Sequence, residues 1–212
     1  MSPADGKKWR ESQDSPAIER PDSWHAILDA AIEEFAEHGR SGVRIEHVAR
    51  RAGYNKSLIY RFFKDRDSLF QAALQRQFET RDEMLPAAPD NFVDVLSWWS
   101  ANNQKNPVFM RMILREALEN TGERPVQAEA REAYYQSQIE VIEAQQVKGQ
   151  VANGLDPKYL FLALLGVSIL PTALPQICQL VTGVDTNSKE FEKDWSAFLS
   201  DFSRQLGISG NE

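Results

Sequence analysis

Residues 44–66 read RIEHVARRAGYNKSLIYRFFKDR and have the pattern of two short helices joined by a tight turn. In the first half, apolar residues recur at helical spacing on one narrow face. These residues are Ile45, Val48, Ala49 and Ala52. Gly53 follows, and a residue without Cβ can adopt the left-handed conformation that ends a helix. Asn55 then stands at an N-cap position, so a second helix is predicted to begin three residues after the first one ends.

The predicted second helix has two chemically different faces. Ile59 and Phe63 lie four residues apart and share an inward face. The outward face carries cations, a hydroxyl and a phenol, which are groups that reach DNA phosphates and base edges. A two-turn helix also fits a major groove about 12 Å wide. We therefore expect nine residues to contact DNA: Arg44, Asn55, Lys56, Ser57, Leu58, Tyr60, Arg61, Lys64 and Arg66.

The run from Trp24 to Leu69 resembles the N-terminal DNA-binding domain of the tetracycline-repressor (TetR) family of bacterial transcription regulators. The resemblance is carried by an alanine-rich first helix ending in EHG, by IEHVARRAGYNKSLIYRFF, and by KDRDSLF at the start of a long connecting helix. Two positions depart from the family pattern: Arg44 replaces the usual Ser or Thr cap, and Phe62 replaces a frequent Tyr or His. The resemblance implies an all-α protein with a three-helix, helix-turn-helix DNA-binding domain and a helical ligand-binding and dimerisation domain.

Charge is distributed unevenly along the chain. Residues 40–66 contain eight Lys or Arg against Glu46 and Asp65, a net charge of +6, whereas the whole chain carries −7. The remaining residues therefore carry −13. A basic segment on an acidic body is typical of a DNA-binding module attached to a separate regulatory part.

Composition and turn residues predict three regions. Residues 1–21 are polar and form a flexible arm; residues 22–66 are the DNA-binding domain, and residues 67–212 the ligand-binding and dimerisation domain. Asp22 or Ser23 is expected to cap the first helix, which ends at Gly39. A helix that starts at Asp65 or Asp67 and ends near Met84 is the expected mechanical link. No secretory signal is visible, so the cytoplasm is the expected location.

From Asp90 onward the sequence predicts helices alone, since no sustained alternation of apolar and polar residues indicates strands. The predicted helices cover 91–103, a segment from Pro107, 126–153, a segment after Asp156-Pro157, and 190–206. In the segment from Pro107, the expected inward residues are Met110, Ile113, Leu114, Ala117 and Leu118.

Residues 159–184 include no charged side chain, a length that could span a bilayer. Two prolines and two glutamines inside the segment argue against that interpretation. We expect instead a helix buried on most sides and kinked at Pro171 and Pro175. This segment and the last helix are more apolar than one small domain needs, which predicts a homodimer formed through the two C-terminal helices.

Aromatic and sulfur-containing residues crowd the middle of the chain. Such stripes are most often plain core, but as a group they can also line a largely apolar pocket, which the family resemblance implies. The expected pocket residues are Trp98, Trp99, Phe109, Met112, Glu116, Tyr134, Tyr135, Gln138, Leu165 and Ile169.

The sequence favours a homodimeric transcription repressor that binds a near-palindromic operator in double-stranded DNA and is released by a small, largely apolar effector. A single cysteine, Cys178, leaves no pair for a disulfide, and the three histidines show no familiar metal-ligand spacing. We expect no metal, cofactor or catalytic residue. Two alternatives remain: a helical module whose basic face binds an acidic protein, and an enzyme of unrecognised type.

Overall fold

A computed structural model of the chain describes residues 20–84, 89, 92–119, 122 and 124–207. The predicted flexible arm lies outside this part, apart from Arg20 and Pro21. All regular structure among the described residues is helical, which confirms the predicted all-α class. The described part of the chain forms ten helices: α1 (Asp22–Gly42), α2 (Ile45–Ala52), α3 (Lys56–Phe62), α4 (Arg66–Met84), α5 (Phe92–Lys105), α6 (Pro107–Glu119), α7 (Ala128–Val147), α8 (Pro157–Ala173), α9 (Pro175–Thr182) and α10 (Lys189–Leu206).

The chain divides into two compact units. The first, here called the helix-turn-helix unit, comprises the described residues up to 84 together with those from 108 to 130. It therefore holds α1 to α4 and nearly all of α6. The second, here called the C-terminal unit, comprises the described residues from 89 to 107 and from 131 to 207. It holds α5, most of α7, and α8 to α10.

Helix α1 forms the core of the helix-turn-helix unit. Ile27, Leu28 and Phe35 are fully buried, and the Phe35 ring packs edge-on against Phe70 of α4. The predicted cap was wrong, because Pro21 occupies the N-cap position and no side chain there accepts a backbone hydrogen bond. Gly39 interrupts the helix with a φ of 70°, and one further helical turn ends at Gly42.

Helix α4 starts as the sequence predicts. The Asp65 carboxylate accepts a hydrogen bond from the Ser68 backbone N–H at 2.8 Å, and the Ser68 hydroxyl in turn accepts one from the Asp65 N–H at 3.1 Å. These bonds satisfy backbone donors that have no partner inside the helix. The bond from the Ser68 N–H also holds the pKa of the Asp65 carboxyl below its usual value.

Helix α6 also belongs to the helix-turn-helix unit, although α5 of the C-terminal unit precedes it in the chain. Two hydrogen bonds join α6 to α1. The Glu119 carboxylate accepts a hydrogen bond from the Ser41 N–H at 3.0 Å, and Arg115 Nε donates to the Ala36 carbonyl at 3.3 Å. The predicted inward face was only partly right. Phe109, Met110 and Met112 are the buried residues, whereas Ala117 and Leu118 are exposed.

The C-terminal unit has its own apolar core, to which α5, α7, α8 and α10 contribute. Its buried members are Phe92, Leu96, Ile142, Val151, Leu160, Phe161, Leu164 and Leu199. Polar bonds add to the packing: Asn103 donates to Ser168 at 3.2 Å, and Trp195 Nε1 donates to Ser100 at 3.0 Å. Buried polar groups need such partners because an unmade hydrogen bond costs free energy.

Helix α7 is shorter than the predicted 126–153. It ends at Val147, and the chain then turns so that Val151 becomes fully buried. Gln146 stabilises the turn, since its Nε2 donates to the carbonyls of Ala152 and Leu155, each at 2.8 Å. Asp156 then caps α8 by accepting a hydrogen bond from the Lys158 N–H, as its sequence position predicts.

The predicted kinked helix over residues 159–184 is two helices. Pro171 lies inside α8, and the chain breaks at Leu174, so that α9 runs at 86° to α8. Pro175 is the first residue of α9, where its missing N–H removes no helical bond. Within a single chain the segment is less buried than expected, because Leu180 and Val181 of α9 are largely exposed.

Among the described residues, no individual helix has the length and apolar composition of a membrane span. The pair α8 and α9 reaches that length and composition only when the two helices are combined across their bend.

Candidate nucleic-acid interface

The turn between α2 and α3 has the predicted geometry. Gly53 takes a φ of 75°, and its N–H donates to the carbonyl oxygens at the end of α2. The Tyr54 N–H reaches back to the Ala49 carbonyl at 3.0 Å. Asn55 Oδ1 then accepts a hydrogen bond from the Leu58 N–H at 2.9 Å and caps α3. These backbone bonds fix the direction in which α3 leaves the turn.

One face of α3 is anchored in the unit. Ile59 is 1% exposed, and Phe63, the residue that ends the helix, is 5% exposed. The Phe63 ring stacks on Trp24 of α1 with ring centroids 6.0 Å apart. Aromatic pairs of this kind add to the stabilisation that burial already gives. The helix is therefore held by its inward side chains, which leaves the opposite face to solvent.

The exposed face of α3 carries the side chains that the sequence assigned to DNA. Lys56, Ser57 and Arg61 are exposed, and Tyr60 keeps half of its surface in water. A phenol and two cations on one short helix can donate to phosphate oxygens and to acceptors on base edges. The geometry thus brings together the centre of the predicted DNA-contacting set.

Lys56 has an acidic neighbour that the sequence pattern does not predict. Its Nζ forms an ion pair with the Glu46 carboxylate of α2. This hydrogen bond raises the pKa of Lys56 and lowers the pKa of Glu46. Both groups lie at the surface, where such pairs contribute little to stability. The helical periodicity of the sequence does not predict the ion pair between Lys56 and Glu46, because the two residues lie on different helices.

The other residues expected to contact DNA differ in their exposure and in their hydrogen bonds. Arg44 and Lys64 are exposed, and Arg44 caps α2 without a side-chain hydrogen bond, as its departure from the family pattern suggested. Leu58 is half-buried, and its N–H is bound by Asn55. Arg66 is half-buried, and its guanidinium donates to the Ser41 carbonyl at 3.0 Å. In this structure Arg66 therefore ties the start of α4 to the end of α1.

Two further arginines of the basic segment bind acidic residues within the unit. Arg40 Nε lies 2.9 Å from Asp67 Oδ1, and this contact holds the pKa of the Asp67 carboxyl below its usual value. Arg51 Nε lies 3.0 Å from Glu34, and its Nη2 lies 3.2 Å from Glu37. The positive charge that residues 40–66 offer to DNA is consequently smaller than the count of basic residues suggests.

Seven of the ten expected pocket residues belong to the C-terminal unit. The rings of Trp99 and Tyr135 both approach Phe161, at centroid distances of 6.0 and 5.9 Å. Tyr134 packs against Tyr135, and Leu165 packs on the core cluster. Gln138 donates to the Ser137 hydroxyl at 3.4 Å, and Ile169 is half-buried. Trp98 has a buried Nε1 that donates to no acceptor among the described residues.

The other three expected pocket residues belong to the helix-turn-helix unit. Phe109 packs edge-on against Phe78 of α4, with ring centroids 4.9 Å apart, and Met112 is fully buried. Glu116 accepts a hydrogen bond from the Val126 N–H at 3.0 Å. Within their own unit, these residues join α6 to α4 and to the segment that follows α6.

Comparison with known proteins gives two family matches in the expected order. The family described as bacterial regulatory proteins, tetR family, matches residues 27–73. The family described as tetracyclin repressor-like, C-terminal domain, matches residues 99–198. The first match contains the whole of α2, the turn and α3.

Individual relatives agree with these matches. The HTH-type transcriptional repressor SCO4008 of Streptomyces coelicolor is 27% identical over 158 residues, which cover 74% of this chain and 82% of the relative. The crystal structure of the putative transcriptional regulator SCO4942 from the same species has a TM-score of 0.72 at 19% identity, covering 85% of this chain and 98% of that one. AibR, solved in complex with isovaleryl coenzyme A and operator DNA, has a TM-score of 0.67 at 16% identity, with coverage of 85% and 97%.

Proposed function

The chain belongs to the TetR family of bacterial regulatory proteins, and from that premise we propose that it is a repressor whose helix α3 reads an operator in the major groove. Members of this family are DNA-binding transcription regulators and not enzymes. The observation that carries the proposal is the exposed face of α3, where Lys56, Tyr60 and Arg61 stand together on a helix anchored by Ile59. We assign direct base or phosphate contact to these side chains.

The proposed operator is near-palindromic and is bound by a homodimer. Dimerisation is typical of the family. Exposed apolar side chains on α8, α9 and α10 support an interface there: Tyr159, Leu162, Ile177, Leu180, Val181 and Phe198. Apolar surface of this extent is unfavourable in water and is characteristic of a covered face. Two recognition helices about 34–36 Å apart would meet half-sites one helical turn apart.

The proposed effector is a small, largely apolar molecule that binds in the C-terminal unit. Trp99, Tyr135 and Leu165 supply apolar surface beside the core, and the buried Trp98 Nε1 offers a hydrogen-bond donor. Pockets for small molecules combine these two features. The effector releases DNA only if it binds the low-affinity conformation more tightly than the DNA-bound one. We further propose that the protein acts in the cytoplasm, where it meets DNA.

The proposal is tested with Tyr60→Ala and Lys56→Ala, measured by fluorescence anisotropy on a duplex recovered by selection from random sequence. We expect each variant to bind this duplex at least about tenfold more weakly, because each loses a phosphate or base contact. The melting temperature should stay nearly unchanged, since both side chains are exposed. Lys193→Ala, which removes an exposed lysine of α10, is the control. Undiminished DNA binding by both α3 variants, or their failure to fold, would contradict the assignment.

Scrambled duplexes distinguish this function from the binding of an acidic protein partner. Both partners are attracted by positive charge, so salt dependence alone does not separate them. Preference for the selected duplex over a scrambled one of equal length does, because only base readout depends on sequence.

A further inference from the structure

Where α1 meets α2, three side chains of α1 hold metal-binding atoms within 4.8 Å of one another, and a fourth side chain, from α2, lies beside them. Glu34 lies one turn before Glu37 and His38 on α1, and His47 lies on α2. His38 Nε2 is 3.8 Å from Glu34 Oε2 and 3.6 Å from Glu37 Oε2. His47 Nδ1 lies 3.9 Å from the same Glu34 oxygen. The spacing along the chain matches no familiar zinc motif, which is why the sequence did not reveal this group.

These separations are close to those around a tetrahedral metal ion. Nitrogen and oxygen ligands bind Zn²⁺ at about 2.0–2.2 Å, so two ligands of a tetrahedral ion lie roughly 3.3–3.6 Å apart. The measured distances of 3.6 to 3.9 Å exceed this range by a few tenths of an ångström. They are too long for hydrogen bonds between the same atoms. The donor atoms of Glu34, Glu37 and His38 all lie within 4.8 Å of one another, so small side-chain rotations bring these three into a coordination shell. His47 lies outside that group, and its ring has to move further to supply the fourth ligand.

Glu34 supplies an independent indication of a cation. Its side chain is buried, with 5% of the residue exposed, and its Oε2 accepts no hydrogen bond from any described residue. The other oxygen, Oε1, is bound by Arg51 Nε at 3.0 Å. A buried carboxylate oxygen without a donor is costly. This oxygen is the one that faces both His38 and His47, so a cation bound among them would satisfy it.

Arg51 holds both carboxylates of this group in place, and one of the oxygens that it binds, Glu37 Oε2, also faces His38. Its guanidinium binds Glu34 Oε1 and both oxygens of Glu37, at 3.0 to 3.3 Å. Donors that hydrogen-bond metal-binding carboxylates orient them and are a regular part of metal sites. With neutral imidazoles, the two glutamates and Arg51 leave one net negative charge, which favours binding of a divalent cation.

We propose that Glu34, Glu37, His38 and His47 bind one zinc-like divalent transition-metal ion that joins α1 to α2. Imidazole nitrogens combined with carboxylate oxygens suit Zn²⁺ and its neighbours better than Mg²⁺ or Ca²⁺, which prefer oxygen ligands alone. Because His47 comes from α2 and the other three ligands from α1, the ion crosslinks two helices of the helix-turn-helix unit. Metal binding therefore stabilises the folded state of this unit.

The experiment uses the full chain without an affinity tag, dialysed against a chelator and titrated with Zn²⁺ or Co²⁺. Tetrahedral coordination is read from the visible absorption of bound Co²⁺, and stabilisation is read from the melting temperature with Zn²⁺. We expect one ion per chain and a rise of about 5–10 °C when Zn²⁺ is roughly a hundredfold above its Kd.

The three histidines of the chain provide matched variants. We expect His38→Gln to abolish the Co²⁺ absorption and the Zn²⁺-dependent rise in melting temperature, and His47→Gln to weaken metal binding at least about tenfold. His25→Gln serves as the control, because His25 lies beside Arg76 and outside the group. Glu37→Gln removes an exposed ligand and replaces His38→Gln if that variant does not fold.

Two results would overturn the proposal. In one, the unmodified chain shows no saturable binding at one ion per chain. In the other, His25→Gln lowers the response as much as His38→Gln and His47→Gln do, which would identify the group as an ion-pair network around Arg51 with adventitious metal binding only.

Discussion

Glu46 restrains Lys56, the first residue of α3. Their ion pair occupies the ammonium group that would otherwise contact a phosphate. DNA has to compete with the Glu46 carboxylate, and that carboxylate also repels the phosphate backbone. Glu46 should therefore act as a negative determinant of affinity, although it contacts no DNA itself.

Glu46→Gln should tighten binding to the selected duplex several-fold. The variant removes the competing negative charge, so Lys56 releases one more counterion and the slope of log K against log salt concentration becomes steeper by up to about 1. Anisotropy titrations over a range of salt concentrations measure both quantities. Glu192→Gln makes the same charge change at an exposed site on α10 and should leave the affinity unaltered. Weaker binding by Glu46→Gln would show instead that Glu46 positions Lys56 for DNA.

Asn55 contributes to stability by capping α3. Asn55→Ala removes the acceptor of the Leu58 N–H and should lower the free energy of unfolding by about 1 kcal/mol. Asn55→Ser keeps a capping oxygen and should restore most of the loss. Urea unfolding curves compare the three proteins. Equal stabilities for the alanine and serine variants would mean that the cap contributes nothing to the fold.

The helix-turn-helix element was predictable because its determinants are local. Gly53 and Asn55 each act through hydrogen bonds with backbone groups within four positions, Gly53 through its own N–H and Asn55 through its side chain. The four-residue spacing of Ile59 and Phe63 is enough to predict that both face inward. The Lys56–Glu46 pair and the group around Glu34 were not predictable. They bring together side chains of different helices, and their proximity depends on how α1, α2 and α3 pack.

Later elements show where composition misleads. Residues 159–184 include no charged side chain, yet a break at Leu174 turns α9 away from α8 and leaves Leu180 and Val181 exposed. A proline shows that a helix is disturbed, but its presence does not distinguish a kink from a new N-terminus. Similarly, Leu118 of α6 fits an apolar stripe by spacing, but the burial of Met112 shows that α6 faces its neighbours with a different side.

Two glycines with positive φ should differ in their tolerance of substitution. At Gly53, an added Cβ would meet no atom within 4 Å, so Gly53→Ala costs only the left-handed conformation, about 1–2 kcal/mol. At Gly39, a Cβ would overlap the Glu119 carboxylate and displace it from the Ser41 N–H. Gly39→Ala should therefore destabilise the protein more than Gly53→Ala.

The excess cost at Gly39 should depend on Glu119. When Glu119→Ala is already present, Gly39→Ala should cost only slightly more than Gly53→Ala, because the overlapping carboxylate is gone and a single close approach remains, to Arg115 Cδ at 3.3 Å. Denaturant unfolding of the single and double variants gives the coupling free energy. Additive effects of Gly39→Ala and Glu119→Ala would refute the contact between α1 and α6.

Along the whole chain, net positive charge is confined to one segment and net negative charge to the rest. Residues 40–66 carry +6, and the rest carries −13, so DNA is attracted to the helix-turn-helix segment and repelled elsewhere. The recognition helix lies in one compact unit, and a separate apolar core lies in the other. Exposed apolar side chains on α8 to α10 then provide the surface through which two copies would associate.

The most direct test of sequence-specific DNA binding by a symmetric dimer is the selection of bound duplexes from a random pool by the full chain. We predict enrichment of one near-palindromic motif whose half-sites are centred about one helical turn, or 10–10.5 base pairs, apart. Enrichment should fall sharply when Tyr60→Ala is used in the same selection. A pool that remains random after successive rounds, or a motif without two-fold symmetry, would contradict a homodimer that reads DNA through α3.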